Sequence, residues 1–212
     1  MTYADTATIF PLFSTPVYVR NDLSYDSKGV ISILDNYEWK RTHSGDANLS
    51  VNQNILLRPE LKNIKLTVED NLHKFIFNIL KVSENHELKH VCSWAICHEK
   101  NDFSPGHIHQ NSMFSGVIYF KVPPNSGTSL KFINDYNNPT YVSNTFDPSI
   151  EEFNIFNSRT FEVNVDEKTI IIFPSHAIHA TQVSQSEEKR YCISFNYILT
   201  GKYGTDTGFL EI

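Results

Sequence analysis

Apolar residues follow two periodicities along the chain, and the change between them falls near residue 91. Within residues 24–39 and 58–83, apolar positions recur every three or four residues, which is the spacing of an amphipathic helix. This pattern predicts two helices, one in SYDSKGVISILDNYEW and one in RPELKNIKLTVEDNLHKFIFNILKVS. An extended arm precedes the first of them.

From residue 91 onward, apolar residues gather in short runs rich in β-branched and aromatic side chains, separated by Pro, Gly, Asn and Asp. This sequence pattern predicts an all-β, antiparallel region. One irregular stretch, residues 134–158, is long enough to be typical of a functional loop. The predicted strands are VCSWAICH, SGVIYFKV, SLKFI, RTFEVNV, TIIIF and RYCISFNYIL.

The length and composition fit one globular domain. A chain of 212 residues can enclose a complete core, and 40% hydrophobic with 20% charged residues is ordinary for such a domain. We expect a single domain over residues 1–212, with an N-terminal arm and supporting helices in 1–90 and a β core in 91–200.

Charge and cysteine content limit the partners and the compartment. The net charge is −6, the pI is about 5.8, and no Lys/Arg stripe is visible, which argues against nucleic acid or anionic membrane as partner. The N-terminus lacks a basic region, and Pro11 and Pro16 interrupt its apolar stretch, so neither a signal peptide nor a membrane span is predicted. Cys92, Cys97 and Cys192 lie in apolar runs, which favours free thiols and a cytoplasmic location.

The segment His86-Glu87-Leu88-Lys89-His90 matches H-E-x-x-H, in which two histidines on one face of a helix bind zinc. Such a helix needs an apolar face to pack into the core, and Leu88 is the only apolar residue of SENHELKH. The segment also joins a predicted helix to a predicted strand. We interpret it as a solvated connector.

Four further histidines lie in two distant segments, GHIHQNS and FPSHAIHAT. If the first segment is extended, alternation directs His107 and His109 to the same side. A third imidazole from the second segment, which supplies His176 and His179, would complete a set suited to iron, zinc, copper or nickel. The alternative is that these histidines occupy the rim of a sheet without binding metal.

The run RYCISFNYI has one polar face, which carries Arg190, Cys192, Ser194 and Asn196. On a simple sandwich this face would point to water. In a small barrel it could instead point inward, where Arg190 would offer a bidentate fork to a carboxylate ligand.

Six segments resemble, in order, those of the iron(II)- and 2-oxoglutarate-dependent dioxygenases. The more specific resemblance is to the 2-oxoglutarate oxygenases of phages and marine bacteria, which are distantly similar to prolyl 4-hydroxylases. It implies a mainly β fold with N-terminal helices, the cupin-like jelly roll called the double-stranded β-helix. The segments are FPLFSTPVYV, LLRPELKNIK, HIHQNSMFSGVIYFKVP, SLKFIND, IIIFPSHAIHATQV and KRYCISFNYI.

The resemblance also implies an activity and its cofactors. Fe(II), 2-oxoglutarate and O₂ would be used to hydroxylate a peptide side chain or a small molecule, with release of succinate and CO₂. A homodimer is left open by this interpretation.

Carried over to this sequence, the resemblance makes His107 the first residue of the H-x-D/E motif and His179 the distal histidine. Arg190 follows His179 by 190 − 179 = 11 positions, the range expected of the residue that pairs with the C5 carboxylate of 2-oxoglutarate, and this spacing selects His179 over His176. Tyr119 matches a strand tyrosine that contacts the same carboxylate.

The sequence departs from the family pattern at two places. Cys192 stands where many members carry a serine, so Ser194 or Asn196 is expected to replace the contact of that serine with the cosubstrate. His109 stands where the usual triad has a carboxylate, and we interpret it as a third imidazole ligand. A nearby carboxylate is the alternative third ligand, the candidates being Asp102, Glu99 and Asp135.

Two other functions are also compatible with the sequence. A three-histidine cupin-type metalloprotein would use the same ligands without 2-oxoglutarate, and a non-catalytic jelly-roll binding module would use neither. Arg190 argues against the first. By position in the chain, we expect residues 134–158 and the N-terminal helices to contact substrate and close the site.

Overall fold

The computed structural model describes residues 14–42, 47–127, 129–134 and 148–212, and both predicted helices form within these ranges. Helix α1 spans Ser27–Leu34, and the Asp26 carboxylate at its start accepts a 3.1 Å hydrogen bond from the Gly29 N–H. Helix α2 spans Lys62–His73 and continues as a π-helical segment over Lys74–Ile79. Short 3-10 turns lie at Ile55–Leu57, Pro59–Leu61 and Asp206–Gly208.

All six predicted strand runs coincide with strands, and further short strands were not predicted. The first three strands come from the N-terminal arm and the segment between the helices. The strands are β1 (Tyr18–Arg20), β2 (Trp39–Arg41), β3 (Asn48–Ser50), β4 (Glu87–His98), β5 (Phe114–Lys121), β6 (Ser129–Ile133), β7 (Thr160–Asn164), β8 (Ile170–Pro174), β9 (Ile178–Thr181), β10 (Arg190–Thr200), β11 (Lys202–Tyr203) and β12 (Leu210–Glu211).

The strands form two main antiparallel sheets. The larger sheet has the order β1-β8-β5-β10-β4-β3-β2, and the smaller has the order β7-β6-β9. A separate hairpin joins β11 and β12. Two facing antiparallel sheets with N-terminal helices are the predicted architecture.

Alternation along the central strands divides the core into two layers. Ile118, Phe195 and Tyr197 face the helices, where they pack with Leu34, Leu72 and other buried helix residues. Side chains of the opposite face, among them Val117, Tyr119 and Ile171, pack toward the smaller sheet with Leu130 of β6. The helices therefore cover one face of the larger sheet, and the smaller sheet faces the other.

The H-E-x-x-H segment is not helical. Strand β4 begins at Glu87 and pairs with β10, so the interpretation of this segment as a connector was wrong beyond His86. His86 Nδ1 contacts the Thr200 carbonyl at 3.2 Å, and His90 Nε2 contacts the Ser93 hydroxyl at 2.9 Å. Without a helix, the two histidines do not form the zinc site of that motif.

In the part of the chain that the structure describes, no helix combines the length and the apolar character needed to cross a lipid bilayer.

Candidate active site

Backbone hydrogen bonds hold the histidines of the two segments beside one another. His107 and His179 form an isolated antiparallel bridge in which each backbone N–H donates to the carbonyl of the other at 3.0 Å. The His109 N–H donates to the Ser175 carbonyl, also at 3.0 Å. His107 and His109 thus lie just before β5 and outside the strands given above. Their side chains nevertheless point in the same direction, as alternation predicts.

The three imidazoles converge. One ring nitrogen from each of His107, His109 and His179 lies within 4.8 Å of the others. The His107 and His109 Nε2 atoms are 3.2 Å apart, and the rings of His107 and His179 have centroids 4.3 Å apart. His176 is exposed and lies outside this cluster.

The outward-facing nitrogen of each ring has an oxygen partner. His107 Nδ1 contacts the Pro105 carbonyl at 2.8 Å, and His179 Nδ1 contacts the Ala177 carbonyl at 3.0 Å. His109 Nδ1 contacts Asn196 Oδ1 at 2.6 Å. Because these oxygens only accept hydrogen bonds, each Nδ1 carries a proton, and Nε2 of each ring is the nitrogen left to face the other two rings.

Burial favours the neutral form of two of the three rings, His179 and His109. It lowers the pKa of His179 to about 3, an effect to which His107 and His109 add and which the Ala177 carbonyl partly opposes. Burial also lowers the pKa of His109. The three converging ring nitrogens lack a common partner, and a divalent metal ion such as iron would provide it. The donor set therefore fits a metal.

Two of the candidate carboxylate ligands are engaged elsewhere. Asp102 is only 2% exposed, and its two oxygens accept hydrogen bonds of 2.9 and 2.5 Å from the Arg41 guanidinium. Glu99 pairs with Lys189 at 2.9 Å. Asp135 lies outside the described residues. Among residues that the structure describes, no carboxylate joins the three histidines.

The histidines open onto a cavity of about 340 Å³ between the two sheets. Arg190 lies in its wall at 1% exposure, with its Cζ 5.9 Å from the ring centroid of Tyr119. Its Nη1 donates to the Gly127 carbonyl and its Nη2 donates to His98 Nδ1 at 2.5 Å, but its Nε has no hydrogen-bond partner. Such a buried, partly unsatisfied guanidinium suits a carboxylate ligand.

The alternative that the polar face of β10 points inward is correct for three of its four residues. Arg190, Cys192 and Ser194 line the cavity. Burial raises the pKa of the Cys192 thiol to about 11, so this thiol stays protonated. Asn196 lies behind His109, where it also accepts a 2.8 Å hydrogen bond from the Ser115 hydroxyl.

The assignment of substrate contact to the N-terminal helices was wrong. They pack on the opposite face of the larger sheet, so they support the sheet and do not line the cavity. The N-terminal part of the chain contributes to the cavity wall through residues near β2 and β3, namely Thr42, Ala47, Leu49 and Gln53. Most of the 134–158 segment, residues 135–147, lies outside the described residues.

Sequence reasoning missed His98, Trp94 and Gly127. His98 and Trp94 line the cavity, and Trp94 packs against His109 with ring centroids 5.5 Å apart. Alternation along β4 places Trp94, Ile96 and His98 on one face, and this signal could have identified them. The contact between Gly127 and Arg190 leaves no comparable signal in the sequence.

Comparison with known proteins supports the same class. Residues 92–196, which include all three clustered histidines and Arg190, match a family model described as "Putative 2OG-Fe(II) oxygenase". No curated protein matches the chain.

Solved structures with low sequence identity share the fold. One is HygX from Streptomyces hygroscopicus with nickel, 2-oxoglutarate and hygromycin B bound (11% identity, 86% of this chain and 82% of that chain covered, TM-score 0.59). Another is a Pseudomonas putida prolyl-4-hydroxylase (13%, 88% and 94%, 0.58). A third is a Trichoplax adhaerens prolyl hydroxylase in complex with a hypoxia inducible factor peptide fragment (11%, 88% and 85%, 0.60).

These neighbours confirm the double-stranded β-helix architecture. Residues 92–196 are similar in sequence to the 2OG-Fe(II) oxygenase family.

Proposed function

We propose that this 2-oxoglutarate- and iron(II)-dependent oxygenase binds iron through His107, His109 and His179 and hydroxylates a peptide side chain or a small molecule. One observation supports this proposal most strongly: the same cavity is lined by two groups. The first is the set of three converging imidazole nitrogens, and the second is the buried Arg190 guanidinium, whose Nε–H has no partner. The first fits a divalent metal and the second fits a carboxylate. A metalloprotein without 2-oxoglutarate would have no evident use for the second.

Charge supports the same pairing of ligands. Three neutral imidazoles leave the double positive charge of iron(II) uncompensated, whereas a 2-His-1-carboxylate set would remove one unit of it. A bound 2-oxoglutarate dianion can offset the charge at the metal with one carboxylate and that of Arg190 with the other. In this proposal Tyr119 and Ser194 line the wall beside Arg190 and contact the cosubstrate.

When bound, iron(II) and 2-oxoglutarate supply the activation of O₂, one atom of which enters succinate as 2-oxoglutarate loses CO₂ while the other enters the substrate. The chain's own residues hold and shield this site. Pro105, Ala177 and Asn196 fix the imidazole orientations through their oxygen atoms. Phe173, whose ring centroid lies 4.6 Å from that of His179, keeps water from this side of the cavity.

The first prediction concerns the cosubstrate. Titration of 2-oxoglutarate into manganese-loaded wild-type protein should show binding, and Arg190→Ala should weaken it at least about tenfold, because a charge-assisted hydrogen bond contributes roughly 1.5–3 kcal/mol. Arg190→Lys should recover part of the affinity, since a point charge lacks the planar fork. Calorimetry measures all three, with manganese content as the control.

Turnover tests the proposal in the same preparations. Iron-loaded wild type should form succinate from 2-oxoglutarate under air, and Arg190→Ala should form much less. Absence of binding at millimolar 2-oxoglutarate, or equal binding by wild type and Arg190→Ala, would favour the three-histidine metalloprotein or a non-catalytic binding module.

The remaining expectations are carried forward as parts of the proposal. That residues 1–212 act as one domain is supported by β1, β2 and β3, which extend the same sheet as the core strands. A cytoplasmic location is supported by the three cysteines, all of which are free. Peptide and small-molecule substrates both stay in the proposal, as does a homodimer.

A further inference from the structure

Arg190 is a buried cation whose contacts are neutral. Its two hydrogen-bond acceptors are the Gly127 carbonyl and the His98 imidazole. Within the described ranges, no carboxylate forms an ion pair with it: Asp102 is paired with Arg41, and Glu99 is paired with Lys189. A buried charge without a counter-ion is costly, and proteins ordinarily pair such charges.

The direction of the contact with His98 is fixed. A guanidinium has N–H donors and no acceptor, so His98 Nδ1 must present a lone pair to Arg190 Nη2 across the 2.5 Å between them. The ring proton is then on Nε2, which faces the Ser104 hydroxyl at 3.3 Å. This arrangement requires a neutral His98.

The surroundings of His98 keep it neutral. The residue is 2% exposed, and burial, with the charges of Arg190 and Arg41, lowers its pKa to about 2. His98 can therefore orient the guanidinium without compensating its charge.

We propose that His98 is a positioning residue that holds the Arg190 guanidinium through a neutral hydrogen bond, so that the positive charge stays uncompensated until a carboxylate ligand enters the cavity. That 2-oxoglutarate is this ligand rests on the proposed function. An acidic residue at position 98 would orient the guanidinium equally well but would compete with the ligand for its charge. The neutral partner thus preserves the binding energy of Arg190 for the cosubstrate.

Two isosteric substitutions separate orientation from charge. His98→Asn places an amide oxygen where Nδ1 accepts, and His98→Asp places a carboxylate oxygen there. We expect His98→Asn to bind 2-oxoglutarate within a few fold of wild type and His98→Asp to bind at least about tenfold more weakly, because the introduced carboxylate pairs with Arg190. Calorimetric titration of 2-oxoglutarate into the manganese-loaded proteins measures the difference.

Thermal melting of the same proteins without metal or cosubstrate supplies the second readout. His98→Asp should melt at a higher temperature than His98→Asn, because it compensates a buried charge that the amide leaves unpaired. A merely structural role for His98 would move affinity and melting temperature in the same direction. The proposal requires them to move in opposite directions between these two variants.

A third measurement uses the unmodified chain. Nitrogen-15 NMR of histidine-labelled wild type should show His98 in the Nε2–H tautomer at neutral pH, and a doubly protonated ring would overturn the proposal. Equal affinities, or a lower melting temperature for His98→Asp, would also overturn it. If wild type binds no 2-oxoglutarate, the proposed function fails, while the melting order and the tautomer still decide the role of His98.

Discussion

At the scale of single residues, the clustered histidines are distinguished by what their Nδ1 atoms contact. Each of the three donates to an oxygen of the protein and turns Nε2 toward the other two rings. Two of these oxygens belong to backbone carbonyls, and the third belongs to the Asn196 side chain. A substitution cannot remove a backbone carbonyl, so Asn196 is the partner whose contact can be tested by mutation.

This leads to a prediction for the metal affinity. Asn196→Leu should weaken manganese binding about 10–100-fold, because His109 loses the acceptor that fixes its tautomer. Asn196→Asp keeps an acceptor at the same place and should retain the affinity. Competition titrations against a chelator measure both, with circular dichroism as the check on folding.

The comparison between the two variants decides whether Asn196 acts through His109. If the leucine variant binds manganese as tightly as wild type, or if both variants lose affinity equally, the role given to Asn196 is wrong. The sequence indicated a polar residue at position 196, but it could not distinguish a cosubstrate contact from a contact with His109, since both lie on the same strand face.

Position 98 shows a similar limit. Alternation along β4 could have directed His98 into the cavity, but its partner, Arg190, lies on a neighbouring strand in the register Arg190↔His98. Register depends on the pairing of the whole sheet and is not encoded in either strand alone.

At the scale of elements, strands with strong alternation or continuous apolar runs were predicted, and short ones were not. Strand β9 has four residues, Ile178–Thr181, and owes its pairing to β6 rather than to its own composition. The polar segment at the start of β4 was taken for a connector for the same reason. Its pairing with the end of β10 overrides the local preference of its residues.

Close packing between central strands gives a prediction at this scale. A Cβ added at Gly116 of β5 would lie 2.5 Å from the Ile171 carbonyl oxygen and would also collide with the Phe195 ring. Gly116→Ala should therefore lower the free energy of unfolding by about 1–3 kcal/mol. Urea denaturation of the metal-free protein measures the change.

Gly208→Ala is the matched control, because nothing lies within 4 Å of the Cβ it would add. It should change the free energy of unfolding by no more than about 0.5 kcal/mol. Equal stability of the Gly116 and Gly208 variants would show that the strands around β5 leave room for a Cβ at Gly116.

At the scale of the whole molecule, the sequence resemblance predicted the facing sheets correctly but misplaced the helices relative to the site. An amphipathic helix has an apolar face, and its pattern does not say which side of a sheet that face will cover. Here both helices cover the side that carries Phe195 and Tyr197, away from the histidines. The cavity is instead walled by the two sheets and the residues beside β2 and β3.

The central claim is that three histidines from two distant segments form one iron site, and iron stoichiometry tests it most directly. Metal-free proteins would be loaded with iron(II) without oxygen, freed of excess metal and analysed for iron per chain. Wild type should bind about one iron, and His179→Ala should bind none, because two imidazoles at this site are too few to hold the ion.

His176→Ala, His86→Ala and His90→Ala are the matched controls, since these histidines lie outside the cluster, and each should bind as much iron as wild type. Equal loss of iron from His179→Ala and His176→Ala, full retention by His179→Ala, or loss of iron from the His86 or His90 variant would contradict the account.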